Sequence, residues 1–514
     1  MDEHTGHENG KGQGGHAGMA RRGVTRPMME HGREQGERRE GEHGGGHEMT
    51  AEQRRSMLAK HHAQTAWVWW TVLLLGAWTM LAPVTFGYGS APVQPAGGRE
   101  LWLSASQRAA AMTWSDLASG ALLLVLGWRA LRPGRLVSAW SCCFVGIWLT
   151  FAPVLFWAPN AAAYLNATIV GALVIALTIL IPGMPGMILY MKMGPDQPPG
   201  WSYNPSSWAQ RSILAALGFA GFVVSRYLAA YQLGYIDTIW DPFFGEGTRR
   251  VLESDMSRAW PVSDAAFGTV AYTFEFLMAF MGSSARWRTM PWMVTLFGVL
   301  VIPLGLVHIA LVVSQPVLVG EWCTFCLLAA AFMLPMIPLE GDEVVAMGQH
   351  VLRARRRGER LWSVFWKGGA AEGSTQDERS PRIASAGEHP WRVARASVWG
   401  ANVPWTLAAS AALGVTLMAC PSMLGVAKPA ATLFHLGGAV VVTCAVIAMG
   451  EVFRAVRYVN VLVGLVVAGA PWLLSGAGIS ARIVAAVVGL AVVALAPRRG
   501  RIAERYAGWD RAVV

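Results

Sequence analysis

Charge is scarce in this chain: Asp, Glu, Lys and Arg make up 14% of its 514 residues, against 54% hydrophobic. With 24 Trp and a mean hydropathy of +0.37, that balance excludes an ordinary soluble domain and points to a polytopic membrane protein. No short apolar core precedes a small-residue cleavage site near the start, so no signal peptide is expected. The formal charge of +10 sits in short clusters between apolar runs, which argues against nucleic acid as a partner. Cysteine is scarcer still, at six residues. Cys142 and Cys143 are adjacent in an apolar run, and Cys420 and Cys444 are isolated in others, as small buried hydrophobes would be. Only Cys323 and Cys326 have redox spacing, in Trp322-Cys323-Thr324-Phe325-Cys326. Two thiols so placed at the mouth of an apolar helix can close a small disulfide ring, and the helix N-terminus favours the thiolate that starts exchange. Two packed thiols remain an alternative, as does zinc, although no second pair lies nearby to complete a tetrahedral site.

Aliphatic residues are nearly missing from residues 1–60, which are rich in Gly, Glu, Arg and His. Too little apolar surface is available there to fold, so a disordered cytoplasmic tail is expected. Eight of the twelve histidines lie in it or just after it: His4, His7, His16, His31, His43, His47, His61 and His62. They could chelate metal loosely or simply be solvated.

A membrane span needs roughly 20 apolar residues. Twelve candidates follow, at 67–86, 111–131, 136–157, 162–182, 209–230, 263–281, 291–313, 321–338, 403–424, 431–450, 455–475 and 479–497. The predicted class is therefore all-α. Basic clusters set the direction: Arg54, Arg55 and Lys60; Arg129, Arg132 and Arg135; Lys192 and Arg211; Arg286 and Arg288; Arg353 and Arg355–Arg357; Arg454 and Arg457; Arg498, Arg499 and Arg501. With twelve spans all of these share one side. Both termini are then cytoplasmic, Cys323 faces outside, and the expected location is the plasma membrane of a bacterial cell. The outer face is also the oxidising one, where disulfide chemistry persists. Residues 341–402, long, charged and Gly/Ser-containing, read as a cytoplasmic linker between eight spans and four.

Four spans share Gly, six residues, then Pro: Gly76 to Pro83, Gly146 to Pro153, Gly414 to Pro421 and Gly464 to Pro471. Each following span carries Gly120, Gly171, Gly438 or Gly489 in turn, each with a small or aliphatic neighbour. Glycine allows close helix approach and Pro closes the span. Residues 61–190 and 403–498 thus resemble the two-helix "SPW" repeat family, with Ser replaced by Ala or Cys and Trp kept only at Trp472. That resemblance implies packing more than chemistry.

Between the repeats, residues 205–340 carry an ordered set of features. Span 209–230 is followed by a loop of about thirty residues with Val251-Leu252-Glu253-Ser254. Phe267-Gly268-Thr269-Val270-Ala271-Tyr272 then opens a second span, and Cys323-Thr324-Phe325-Cys326 opens a fourth. In this order the set resembles the vitamin K epoxide reductase family of membrane thiol–quinone oxidoreductases. The resemblance implies a four-helix bundle around a quinone head group, menaquinone or ubiquinone in type, with no metal. Cys326 would face the quinone, and Cys323 would exchange with an outside thiol protein, for which a thioredoxin-like partner suits. Ser254 would match the family's functional Ser, or form a loop turn. Asp264 stands where some members use Asn toward the quinone carbonyl, or caps the helix after Pro261. Phe267 and Tyr272 belong to the Phe-Gly…Tyr signature of the quinone site. Glu275, an acid in an apolar span, and His308 could move protons or serve as hydrogen-bonded structural groups. The family also carries a second cysteine pair in the outer loop. Here Asp241 and Thr248 stand at those positions, 227–322 contains no cysteine, and Ala330 replaces a Tyr found in some members.

The reading is a thiol–quinone oxidoreductase in which direct thiol attack replaces the loop relay. A non-catalytic scaffold or quinone-binding protein is the first rival. A transporter is the second, although no span shows the charge-lined midplane such carriers use.

Overall fold

A computed structural model describes residues 51–90, 92–179, 195–381 and 388–513. His4, His7, His16, His31, His43, His47, Lys192 and the end of span 162–182 lie outside the described residues. The part of the expected tail that is described, 51–60, belongs to helix Ala51–Gln64, which is a correction. Its Ala, Glu, Gln, Arg, Met and Leu are good helix formers, and His62 Nε2 reaches the Leu131 carbonyl at 2.9 Å.

The described residues are all-α, with no strand and three isolated bridges. A helix stands at each of the twelve expected spans, but ten are long and apolar enough to cross a membrane by length and composition. Helices Asp264–Phe280 and Ile479–Leu495 fall short at 17 residues each, about 25 Å. The first is trimmed by its Ser263 cap and by Met281, which turns to extended backbone. On the long spans Val84 and Val137 are each more than four-fifths exposed, as lipid-facing side chains are. This is a multi-pass membrane protein.

The flanking helices pack as four hairpins, and glycine sets each crossing. A Cβ on Gly120 would stand 2.6 Å from the Gly76 carbonyl oxygen, and one on Gly171 2.6 Å from that of Gly146. The distances are 2.5 Å for Gly438 against Gly414 and 2.5 Å for Gly489 against Gly464. The backbones therefore touch at one repeated register. Pro83, Pro153 and Pro421 lie in the last turns of their helices, and Pro471 lies in the 3-10 turn after its own. We expect Gly438→Leu to lower stability by about 1–3 kcal/mol or more, as overpacking does. Gly348→Ala, which has open space around it, should stay near wild type. Thermal unfolding in detergent distinguishes the two.

The central bundle comprises Trp208–Gln232, Asp264–Phe280, the span Pro291–Val319 and Thr324–Arg356. Pro303 breaks the third at Ile302. Arg211 closes the end of the second: its Nε donates to Ala279 O at 2.7 Å and its Nη2 to Met281 O at 2.9 Å. At 33 residues the fourth helix is about 50 Å long, so it outruns a bilayer core of about 30 Å. Twenty residues, again about 30 Å, separate Cys323 at its start from Glu343, which pairs with Arg286. The redox pair and the Arg211–Arg286 cluster thus occupy opposite ends of the bundle.

The helix also runs past residue 340, where composition placed the start of a linker. Glu340, Asp342 and Glu343 are buried, and Tyr203 Oη donates to Asp342 at 2.6 Å. Further on, Gly369 N donates to Arg288 O at 3.0 Å and Asp377 N to Asp196 Oδ1 at 2.8 Å. The described part of 341–402 is packed onto the bundle.

Candidate functional site

Helix Thr324–Arg356 starts directly after Cys323, whose Sγ caps it by accepting from Cys326 N at 3.1 Å. The two sulfurs are bonded to each other, with Cα atoms 5.2 Å apart, a separation that suits a disulfide. Cys323 does not open to the surface: it is 0% exposed, packed among Val224, Leu228, Val251 and Leu252. Cys326 is half-buried and lines a cavity that Leu228, Val251 and Leu252 of the same cluster also wall.

That cavity measures about 190 Å³ and is largely apolar. Its wall brings together Cys326, Asp264, Phe267, Tyr272 and His308 from three bundle helices. Tyr272 Oη donates to Ala329 O at 2.9 Å and lies 3.4 Å from His308 Nδ1. Its ring sits where a side chain at 221 would be, since a Cβ on Gly221 would lie 2.2 Å from it. Asp264 accepts from Gln232 Nε2 at 2.6 Å, Ser257 Oγ at 3.0 Å and Ala265 N at 2.9 Å. The capping alternative for Asp264 falls to its neighbour: Ser263 Oγ accepts from Ala266 N at 3.0 Å, and Asp264 is the first helical residue.

Besides Cys323, two expected site residues stand off the cavity wall. Ser254 takes its loop role, capping the short helix Asp255–Arg258 and donating to Val251 O at 2.7 Å. Glu275 is 0% exposed, on the same helix face as Tyr272 one turn earlier, and neither of its carboxylate oxygens has a hydrogen-bond partner. Gln232 and Ser257, which orient Asp264, were missed by sequence reasoning; polar residues so far apart in the chain carry no local signal. Among the described residues no group of three or more His, Cys, Asp and Glu is placed to hold a metal.

Asp241 and Thr248, in the connection between the first two bundle helices, are also joined. Asp241 Oδ2 accepts from Thr248 Oγ1 at 2.6 Å and from Thr248 N at 2.9 Å. Its other oxygen accepts from Phe244 N at 2.9 Å, Phe243 N at 3.1 Å and the hydroxyl of Thr324, the residue after Cys323. Partial burial opposes its charge, yet the hydrogen bonds from Thr248, Thr324 and the two amides hold its carboxyl well below the usual carboxylate range. The second repeat braces this end as well: Lys428 Nζ donates to Val317 O at 2.6 Å, and Trp322 packs edge-on against His435.

Comparison with curated proteins finds no match, and comparison with solved structures finds none either. The bundle itself is another matter. Residues 212–340, which contain the bonded cysteines and the cavity that Cys326 lines, match the model of the Vitamin K epoxide reductase family, so the chain carries a membrane oxidoreductase domain of that type at its centre.

Proposed function

We propose that the protein passes two electrons from an outside dithiol protein through Cys323 and Cys326 to a membrane quinone of the menaquinone or ubiquinone type. The observation that carries this reading is Cys326, one half of the bonded pair, on the wall of an apolar cavity that also presents Asp264, Tyr272 and His308. A partner thiolate attacks Cys323 Sγ, the Cys323–Cys326 bond breaks, and Cys326 leaves as thiolate. The partner's second thiol then displaces Cys323, leaving the partner oxidised and the pair reduced. In the second half, the two electrons and two protons of the Cys323–Cys326 dithiol convert quinone to quinol and the disulfide re-forms. Asp264 and Tyr272 hold the head group, and His308 is placed to carry a proton at its edge. The two repeat units, 61–190 and 403–498, act as braces of SPW type around the 205–340 bundle. Basic residues at the end away from Cys323 put that end, and both termini, in the cytoplasm of a bacterial cell.

The test is purified protein in lipid nanodiscs with dithiothreitol and a short-tailed quinone. Quinol should appear in step with oxidised dithiol. A pair that is reduced normally but never passes electrons to quinone would leave a scaffold. Asp264→Leu should raise the quinone KM by on the order of tenfold, as loss of about one hydrogen bond from a protonated carboxyl to the quinone carbonyl does. An unchanged KM would remove Asp264 from the quinone site.

A further inference from the structure

Cys323 is the sulfur the incoming thiol must touch on the reading above, and it is fully covered. We propose that Asp241, Thr248 and Thr324 form a latch that holds the 233–262 connection over Cys323, and that thiol exchange proceeds only when this latch is released. The inference rests on that reading for its purpose but on separate geometry for its content.

One carboxylate ties three pieces of chain. Asp241 gathers its own turn through the Phe243 and Phe244 amides, the start of helix Gly247–Leu252 through Thr248, and the redox motif itself through the Thr324 hydroxyl. Docked this way, helix Gly247–Leu252 runs so close to the motif that a Cβ on Gly247 would stand 2.3 Å from the Trp322 carbonyl oxygen. The same helix then lays Val251 and Leu252 in the apolar cluster that buries Cys323. Weaker pins surround the latch: Arg250 pairs with Glu321, and Trp240 N donates to Tyr227 Oη at 3.0 Å. The ion pair is largely solvated on its Arg side and adds little.

Two cysteines at 241 and 248 would form a covalent link that itself exchanges electrons. Aspartate and threonine there make hydrogen bonds that no oxidant alters, so the connection keeps its hold on the motif and loses its redox role. Access to Cys323 is then governed by opening of the latch, in either redox state of the pair.

The experiment uses the full-length oxidised protein in nanodiscs. Dithiothreitol is added, samples are quenched with a polyethylene glycol maleimide, and the rate of Cys323–Cys326 reduction is read from the gel shift. Asp241→Ala should react at least tenfold faster than wild type, and Thr324→Val faster by a smaller factor. Gly247→Ala, which changes no charge and leaves every latch donor in place, should speed reduction by dithiothreitol and reoxidation by its oxidised form alike. That symmetric change separates a gate from a shift in the pair's potential. Should Asp241→Ala fail to fold, Asp241→Asn and Gly247→Ala decide. Wild-type rates in folded Gly247→Ala and in folded Asp241→Ala or Asp241→Asn overturn the latch. No quinone enters this assay, so a protein that opens as described yet reduces no quinone refutes the proposed function and not the latch.

Discussion

Cys326→Ala abolishes dithiol-driven quinone reduction, a loss of roughly a thousandfold or more, the scale on which removal of a covalent group acts. Cys326 is the sulfur on the cavity wall, so nothing else in the pair can reach a quinone held there. The same substitution leaves Cys323 as a lone thiol, still at the start of helix Thr324–Arg356. Attack by its thiolate on an oxidised partner forms a mixed disulfide and frees the partner's second thiol; Cys326 is no longer there to resolve the adduct from this side, and alkylating the freed thiol with N-ethylmaleimide blocks the reverse step. The adduct therefore accumulates, and purification under non-reducing conditions followed by mass spectrometry identifies the partner. Because Cys323 lies beneath the 233–262 connection, the adduct builds slowly in Cys326→Ala and faster when Asp241→Ala is added. Full quinone turnover by Cys326→Ala would sink the assignment of the pair.

The bundle was legible because its features are ordered along the chain: a span followed by a long loop, the Phe267–Tyr272 stretch early in the next span, and the Cys pair at a helix start. The glycine register was legible for a similar reason. Gly76 and Gly120, or Gly414 and Gly438, recur at positions where only an absent side chain lets two backbones meet. What stayed hidden depends on partners distant in sequence. Asp264 is oriented by Gln232, 32 residues earlier, and nothing near either residue announces it. Asp241 and Thr248 were visible as substitutions, but their bond to each other and to Thr324 exists only once the connection folds back onto the motif. The charges after residue 340 misled in the opposite direction. Acidic residues following an apolar run read as solvated, whereas here their partners on other elements bury them. Tyr203 meets Asp342, and Arg286 meets Glu343.

That last pair carries the largest expected effect on stability. Arg286 Nε donates to Glu343 Oε1 at 2.6 Å and Nη2 to Oε2 at 2.5 Å, a two-pronged contact with side chains 0% and 2% exposed. Ser206 also donates to Glu343, while Arg286 Nη1 donates to Met278 O at 2.8 Å at the end of helix Asp264–Phe280. One guanidinium thus fastens the second bundle helix to the fourth, at the end opposite Cys323. Arg286→Ala leaves a buried carboxylate without its counter-charge and removes the side-chain donor from Met278 O at the helix end. The expected cost is about 3–5 kcal/mol, typical of breaking one side of a buried pair. Replacing both partners by apolar residues of similar size, Arg286→Met with Glu343→Leu, should cost much less, because the larger part of the penalty is the stranded charge. Denaturation of the four proteins in mixed micelles (wild type, two single variants and the double) gives the coupling directly. If the double variant is as unstable as the sum of the singles, the pair is not a unit, and the anchoring of the Cys-bearing helix must come from its apolar contacts with Met290, Val294 and Phe297 instead.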